Sequence, residues 1–81
     1  MTRDEAQGAF VRLLLEKVRQ DRYPSWTQME LIEESIPPAM IPDYLAVLAE
    51  KVARDTVPSI PMLRRIQRVA QRLPREEQQR D

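Results

Sequence analysis

The sequence predicts an all-α protein: a compact four-helix domain built from two tandem helical hairpins. Apolar residues recur at helical spacing in four segments, and prolines or cap-forming serines stand between them. A repeat of 34 residues relates the first two segments to the last two. In register, Phe10 to Ile36 falls on Tyr44 to Ala70 without a gap. Leu14/Leu48, Glu16/Glu50, Lys17/Lys51, Val18/Val52, Asp21/Asp55, Pro24/Pro58, Ser25/Ser59 and Ile32/Ile66 are identical, eight matches in twenty-seven positions. Apolar matches would arise between any two amphipathic hairpins. Asp, Pro and Ser coinciding at one spacing would not, and they favour a real duplication.

The first helix is expected from about residue 3 to 21, because Thr2 followed by Glu5 has the form of a capping box. Phe10, Val11, Leu13, Leu14, Leu15 and Val18 spread over roughly 200° of its wheel, about twice the stripe of a one-sided surface helix. Such a helix should touch more than one neighbour. Pro24 ends this run, since the residue before a proline is disfavoured in the α conformation. Ser25 then caps a second helix, expected over about 26 to 36, with Trp26, Met29, Ile32 and Ile36 on one face and Leu31 off it.

Three prolines in six residues, Pro37, Pro38 and Pro42, break the chain between the repeats. The linker is apolar for its kind, so Ile36, Met40 and Ile41 are read as a short lid over one end of the bundle or as the edge of a partner groove. Helix three starts at Pro42 or Asp43 and carries Tyr44, Leu45, Val47, Leu48, Ala49 and Val52 where helix one carries its broad arc. Asp55 to Ser59 repeats the break. Helix four should run from about 60 to 73, with Pro61 tolerated in its first turn and Ile60, Leu63, Ile66, Ala70 and Leu73 as its apolar face. The domain is thus residues 1–74, with repeats at about 3–36 and 42–74, and 75–81 is expected to be a flexible charged tail.

The 34-residue period is the tetratricopeptide length, but the glycine and aromatic signature of those repeats is absent, and Gly8 is the only glycine. Two units are also few for a solenoid. The expected arrangement is therefore two hairpins packed face to face about a pseudo-twofold axis, helices one and three central and helices two and four outside.

Composition narrows the function. With no histidine and no cysteine, the chain lacks the commonest general base, thiolate nucleophiles and the usual transition-metal ligands. Ser25 and Ser59 have no base to activate them. Glu30, Glu33 and Glu34 come from one helix, whereas metal-binding carboxylates converge from several. A non-enzymatic protein without cofactor, metal or small-molecule ligand is expected. No uninterrupted apolar stretch suggests a leader or a membrane span, and a cytoplasmic location is the default reading.

Thirteen basic and thirteen acidic residues cancel, yet they are segregated. Tyr23 to Glu50 holds five acids and no base, while Lys51 to Arg75 holds seven bases against Asp55. Three readings compete. The charges of helices two and four pair inside the fold; or the acidic face of one molecule meets the basic face of a partner or a second copy; or Arg64, Arg65, Arg68 and Arg72 form a nucleic-acid helix, since 65, 68 and 72 share one side. The expectation is a small protein–protein interaction module, an adaptor or regulatory subunit with a homodimer as one form. The candidate partner-binding residues are Tyr23, Trp26, Glu30, Leu31 and Glu34 on one repeat and Arg64, Arg65, Arg68 and Arg72 on the other. A nucleic-acid-binding regulator and a purely structural subunit of a larger assembly are the alternatives.

Overall fold

In the computed structural model, residues 1–55 and 59–74 are described; the expected break at 56–58 and the charged tail at 75–81 lie outside the described residues. The fold is all-α. Helix α1 spans Arg3–Gln20, α2 Trp26–Ser35, α3 Ile41–Ala53 and α4 Ile60–Ala70, with a 3-10 turn at Pro38–Met40. No strand occurs among the described residues, and none of these helices is long and apolar enough to cross a membrane.

Local chemistry sets the helix ends. The Thr2 amide donates to Glu5 Oε1 at 2.8 Å and the Glu5 amide to Thr2 Oγ1 at 3.1 Å, closing the capping box. The Thr2 amide, and then its hydroxyl, hold the Glu5 carboxyl below its ordinary range. Ser25 Oγ accepts the Gln28 amide at 3.0 Å, and Ser59 Oγ accepts that of Met62 at 3.3 Å. Both serines are spent on otherwise unpaired helix-start amides. Helix α3 begins at Ile41, one residue before the expected start, because the 3-10 turn runs straight into it. Helix α4 stops at Ala70 and not at 73: the Arg72 and Leu73 amides bond three residues back, to Val69 and Ala70, tightening the chain ahead of Pro74.

The apolar linker belongs to the core. Ile36 and Ile41 are buried and Met40 packs against the same cluster. Helices α1 and α3 are central: α1 packs on α2 and α3, and α3 on α1 and α4. Gln7 Nε2 donates to Ser35 O at 2.8 Å, tying the start of α1 to the end of α2. Lys51 Nζ, near the end of α3, donates to Arg19 O at 2.7 Å and to Asp21 O at the end of α1. The two central helices therefore run in the same direction.

Burial does not follow the expected twofold. Val11, Leu15, Val18, Met29 and Ile32 of the first hairpin are buried. The residues 34 positions later, Leu45, Ala49, Val52, Leu63 and Ile66, are all exposed or half-buried. The converse also holds: Tyr44, Val47 and Leu48 are buried, whereas Phe10 and Leu13 remain 41% and 57% exposed and Leu14 is half-buried. A twofold interface would bury the same positions on both hairpins. The two hairpins therefore turn different positions inward, and a pseudo-twofold arrangement is not shown. The wide arc of α1 is accordingly only part used, and its Phe10 and Leu13 edge faces solvent.

Candidate protein interface

The seam between α2 and α4 is organised by Glu33. A glutamate one step round the wheel from Met29 lands at the edge of the apolar face, where its carboxylate is largely enclosed. Three groups of the second hairpin reach that carboxylate. The Tyr44 hydroxyl donates to Oε2 at 2.6 Å, Arg65 Nη1 donates to the same oxygen at 2.5 Å, and Arg68 Nη2 lies 3.9 Å from Oε1. Arg72 Nη1 donates to the Glu33 backbone carbonyl at 2.9 Å. Tyr44 OH also lies 3.4 Å from Met29 O. Burial first, then the hydrogen bond to and charge of Glu33, push the Tyr44 phenol well above its ordinary range.

Arg65 is the inner member of this set, only 5% exposed. Its guanidinium stacks on the Trp26 ring, 4.5 Å from the centroid, so one cation meets a carboxylate edge-on and an indole face-on. Among the described residues its Nε has no acceptor. A buried pair of this kind adds little net stability over an apolar pair, but breaking it strands a charge.

The sequence-selected residues divide accordingly. Arg65 and Arg68 share one side of α4, and Arg72, just past its end, reaches the same Glu33; Arg65 offers no free docking surface. Arg68 keeps most of its side chain in solvent despite its distant pairing, and Arg64 is exposed. On α2, Glu30 and Glu34 lie one turn apart on the outer face, and Leu31 is exposed. Tyr23 is 80% exposed with Arg22 5.8 Å from its ring centroid, and Trp26 is 46% exposed. Tyr23 and Trp26 both line a shallow cleft of about 270 Å³, together with Met29, Lys51, Asp55, Ser59 and Met62. The structure thus joins Tyr23, Trp26 and Arg65, and leaves Glu30, Leu31, Glu34 and Arg64 on separate outward positions.

Tyr44 is a core residue as expected, and its hydroxyl also serves the seam. The sequence does not separate Glu33 from Glu30 and Glu34, and it gives Lys51 no role beyond its repeat match. The usable signal lay in the register itself: Tyr44 stands opposite Phe10 and Arg65 opposite Leu31, two polar gains in one repeat. Lys51 differs from its twin Lys17 only in burial. Its ammonium satisfies carbonyls at the end of α1, in the field of that helix terminus. Comparison with protein-family models, with curated proteins and with solved structures returns no match to this chain.

Proposed function

We propose that the chain is a small non-enzymatic protein–protein interaction module, an adaptor or regulatory subunit whose two hairpins descend from a tandem duplication. One observation carries this reading: large apolar side chains stand in solvent at helical spacing, Phe10 and Leu13 on α1 and Leu31 on α2, while the polar seam beside them is internally paired. Exposed apolar residues ringed by charge are what a docking surface presents. Tyr23 and Trp26 supply aromatic anchors, and the outward Glu30, Glu34, Arg64 and Arg68 supply orientation more than affinity. The nucleic-acid reading is weakened, because Arg65 is enclosed and Arg72 is engaged by Glu33.

The test is retention of proteins from cell extract on the immobilised chain, set against Tyr23→Ala and Arg68→Glu, two changes at exposed positions. Loss of a retained protein in either variant, with helicity unchanged, supports the module. Identical retention in both variants overturns this surface. Retardation of a DNA or RNA duplex at about 50 mM salt that vanishes as salt rises would replace it with the nucleic-acid reading.

A further inference from the structure

The contacts of Glu33 fix which way the outer charges of α2 and α4 point. Arg65 stacks on Trp26 at the start of α2, and Arg72, past the end of α4, reaches Glu33 near the end of α2, so the two helices run the same way. Round α2, Glu33, Glu30, Glu34 and Leu31 follow about 40°, 100°, 140° and 200° on from the buried Met29. Round α4, in the reverse sense from the buried Val69, the order is Arg65, Arg68, Arg64 and Ile60. Since Arg65 and Arg68 both reach Glu33, the two series leave the core, cross the seam and emerge on one side of the molecule. An acidic strip, Glu30 and Glu34, stands there beside a basic strip, Arg64 and Arg68, with Leu31 and Ile60 at the outer edges.

These strips are open. Leu31 and Ile60 are 38% and 59% exposed, Glu30, Glu34 and Arg64 are exposed, and Arg68 keeps 61% of its side chain in solvent. Among the described residues Glu30, Glu34 and Arg64 have no ion partner, and Arg68 has only its 3.9 Å approach to Glu33. We infer that this surface pairs with the same surface of a second copy, across a twofold axis parallel to α2 and α4. The inference rests on the interaction-module reading and names the partner.

Opposite charges side by side on one surface are complementary to themselves under a twofold, because the rotation lays each acidic strip over the partner's basic strip. An axis along the helices also keeps every residue at its own level. Glu33 stands level with the turn of α4 that holds Arg65 and Arg68, so Glu30, three residues earlier, is level with Arg64, and Glu34, one residue later, with Arg68. Glu30 therefore meets the second copy's Arg64, and Glu34 its Arg68, each pair being made twice. Leu31 of one copy and Ile60 of the other close the edges. Ion pairs at a surface are individually weak and screened by salt, so the dimer is concentration-dependent and salt-sensitive. With both strips used in one contact, assembly stops at two chains.

The test is sedimentation velocity of the full chain, over a range of concentrations, at about 0.01 M and about 1 M salt, between which the screening length shrinks from about 30 Å to about 3 Å. Arg64→Glu and Glu30→Arg change one strip each. Both positions are exposed, and circular dichroism checks that each variant keeps its helices. At low salt the wild type should reach a dimer as concentration rises, and at high salt it should return to monomer. Each variant alone should be monomeric at low salt, since like charges then face each other at both contacts. An equimolar mixture of the two should dimerise again, because the two substitutions face each other and the native Glu30 faces the native Arg64. A wild type that stays monomeric at low salt, a dimer indifferent to salt or to either substitution, growth past two chains, or a mixture that stays monomeric would overturn the inference. If no dimer forms yet Tyr23→Ala or Arg68→Glu abolishes retention of another protein, the twofold pairing fails and the module reading stands; if neither is seen, both fail.

Discussion

The Tyr44 hydroxyl donates to Glu33 Oε2 at 2.6 Å, across the seam where the second hairpin meets the first. This contact should make the fold sensitive to alkali. Its phenol is held well above the ordinary tyrosine range, near 10, by burial and by the Glu33 carboxylate. Below that ordinary value the phenol is neutral in both folded and unfolded chains, and the stability is fully present. As pH rises past about 10, the unfolded chain sheds the proton and the folded chain does not, so stability falls from there upwards. The urea midpoint of the wild type should drop more between about pH 9 and pH 11 than that of Tyr44→Phe. Equal drops would mean that the seam phenol does not carry the effect.

Glu33 compensates a guanidinium that is almost wholly enclosed. Glu33→Ala leaves Arg65 without its carboxylate, and the expected loss is about 3–5 kcal/mol in a chemical denaturation experiment. The double variant Glu33→Gln with Arg65→Leu installs the pair found at Gln67 and Leu31. It should cost less than the two single losses added together, the excess being the coupling between the partners. Additive losses would show that the two side chains act independently.

The unequal burial of the two repeats is measurable at leucines. Leu48→Ala removes a fully buried side chain and should cost about 2–5 kcal/mol. Leu13→Ala removes one that is mostly in solvent and should stay within about 0.5 kcal/mol at concentrations where the chain is monomeric. Similar costs at both sites would contradict the unequal burial of the two positions.

Lys17 and Lys51 are identical in sequence and register but not in work. Lys51→Met deletes a cation that donates to Arg19 O and Asp21 O, with an expected cost of about 1.5–3 kcal/mol. Lys17→Met in the monomer should be close to neutral, because Lys17 is exposed. Thermal melts of the two variants at low protein concentration decide between unequal and equal roles.

Much of the architecture was legible in the chain because its signals are local. Thr2, Ser25 and Ser59 each sit beside the amides they cap, and Pro24 and Pro42 act on their immediate neighbours. Helix boundaries therefore came within a few residues of those observed, the largest difference being the end of α4, where no residue before Pro74 marks the stop at Ala70. The candidate site was less legible. Nothing within a turn of Glu33 separates it from Glu30 and Glu34, since its partners Tyr44 and Arg65 lie 11 and 32 residues away.

By itself, the sequence determined that four helices form and nearly where each begins, because caps, prolines and apolar period act over a turn or two of chain. Only the tertiary structure decided which half of each wide apolar arc turns inward. Phe10 and Val11 are equally apolar neighbours on one helix, and periodicity ranks them alike. The choice falls to what arrives from elsewhere in the chain: Tyr44, Val47 and Leu48 of α3 join one core cluster with Val11 and Leu15, and Phe10 and Leu13 are left on the outside.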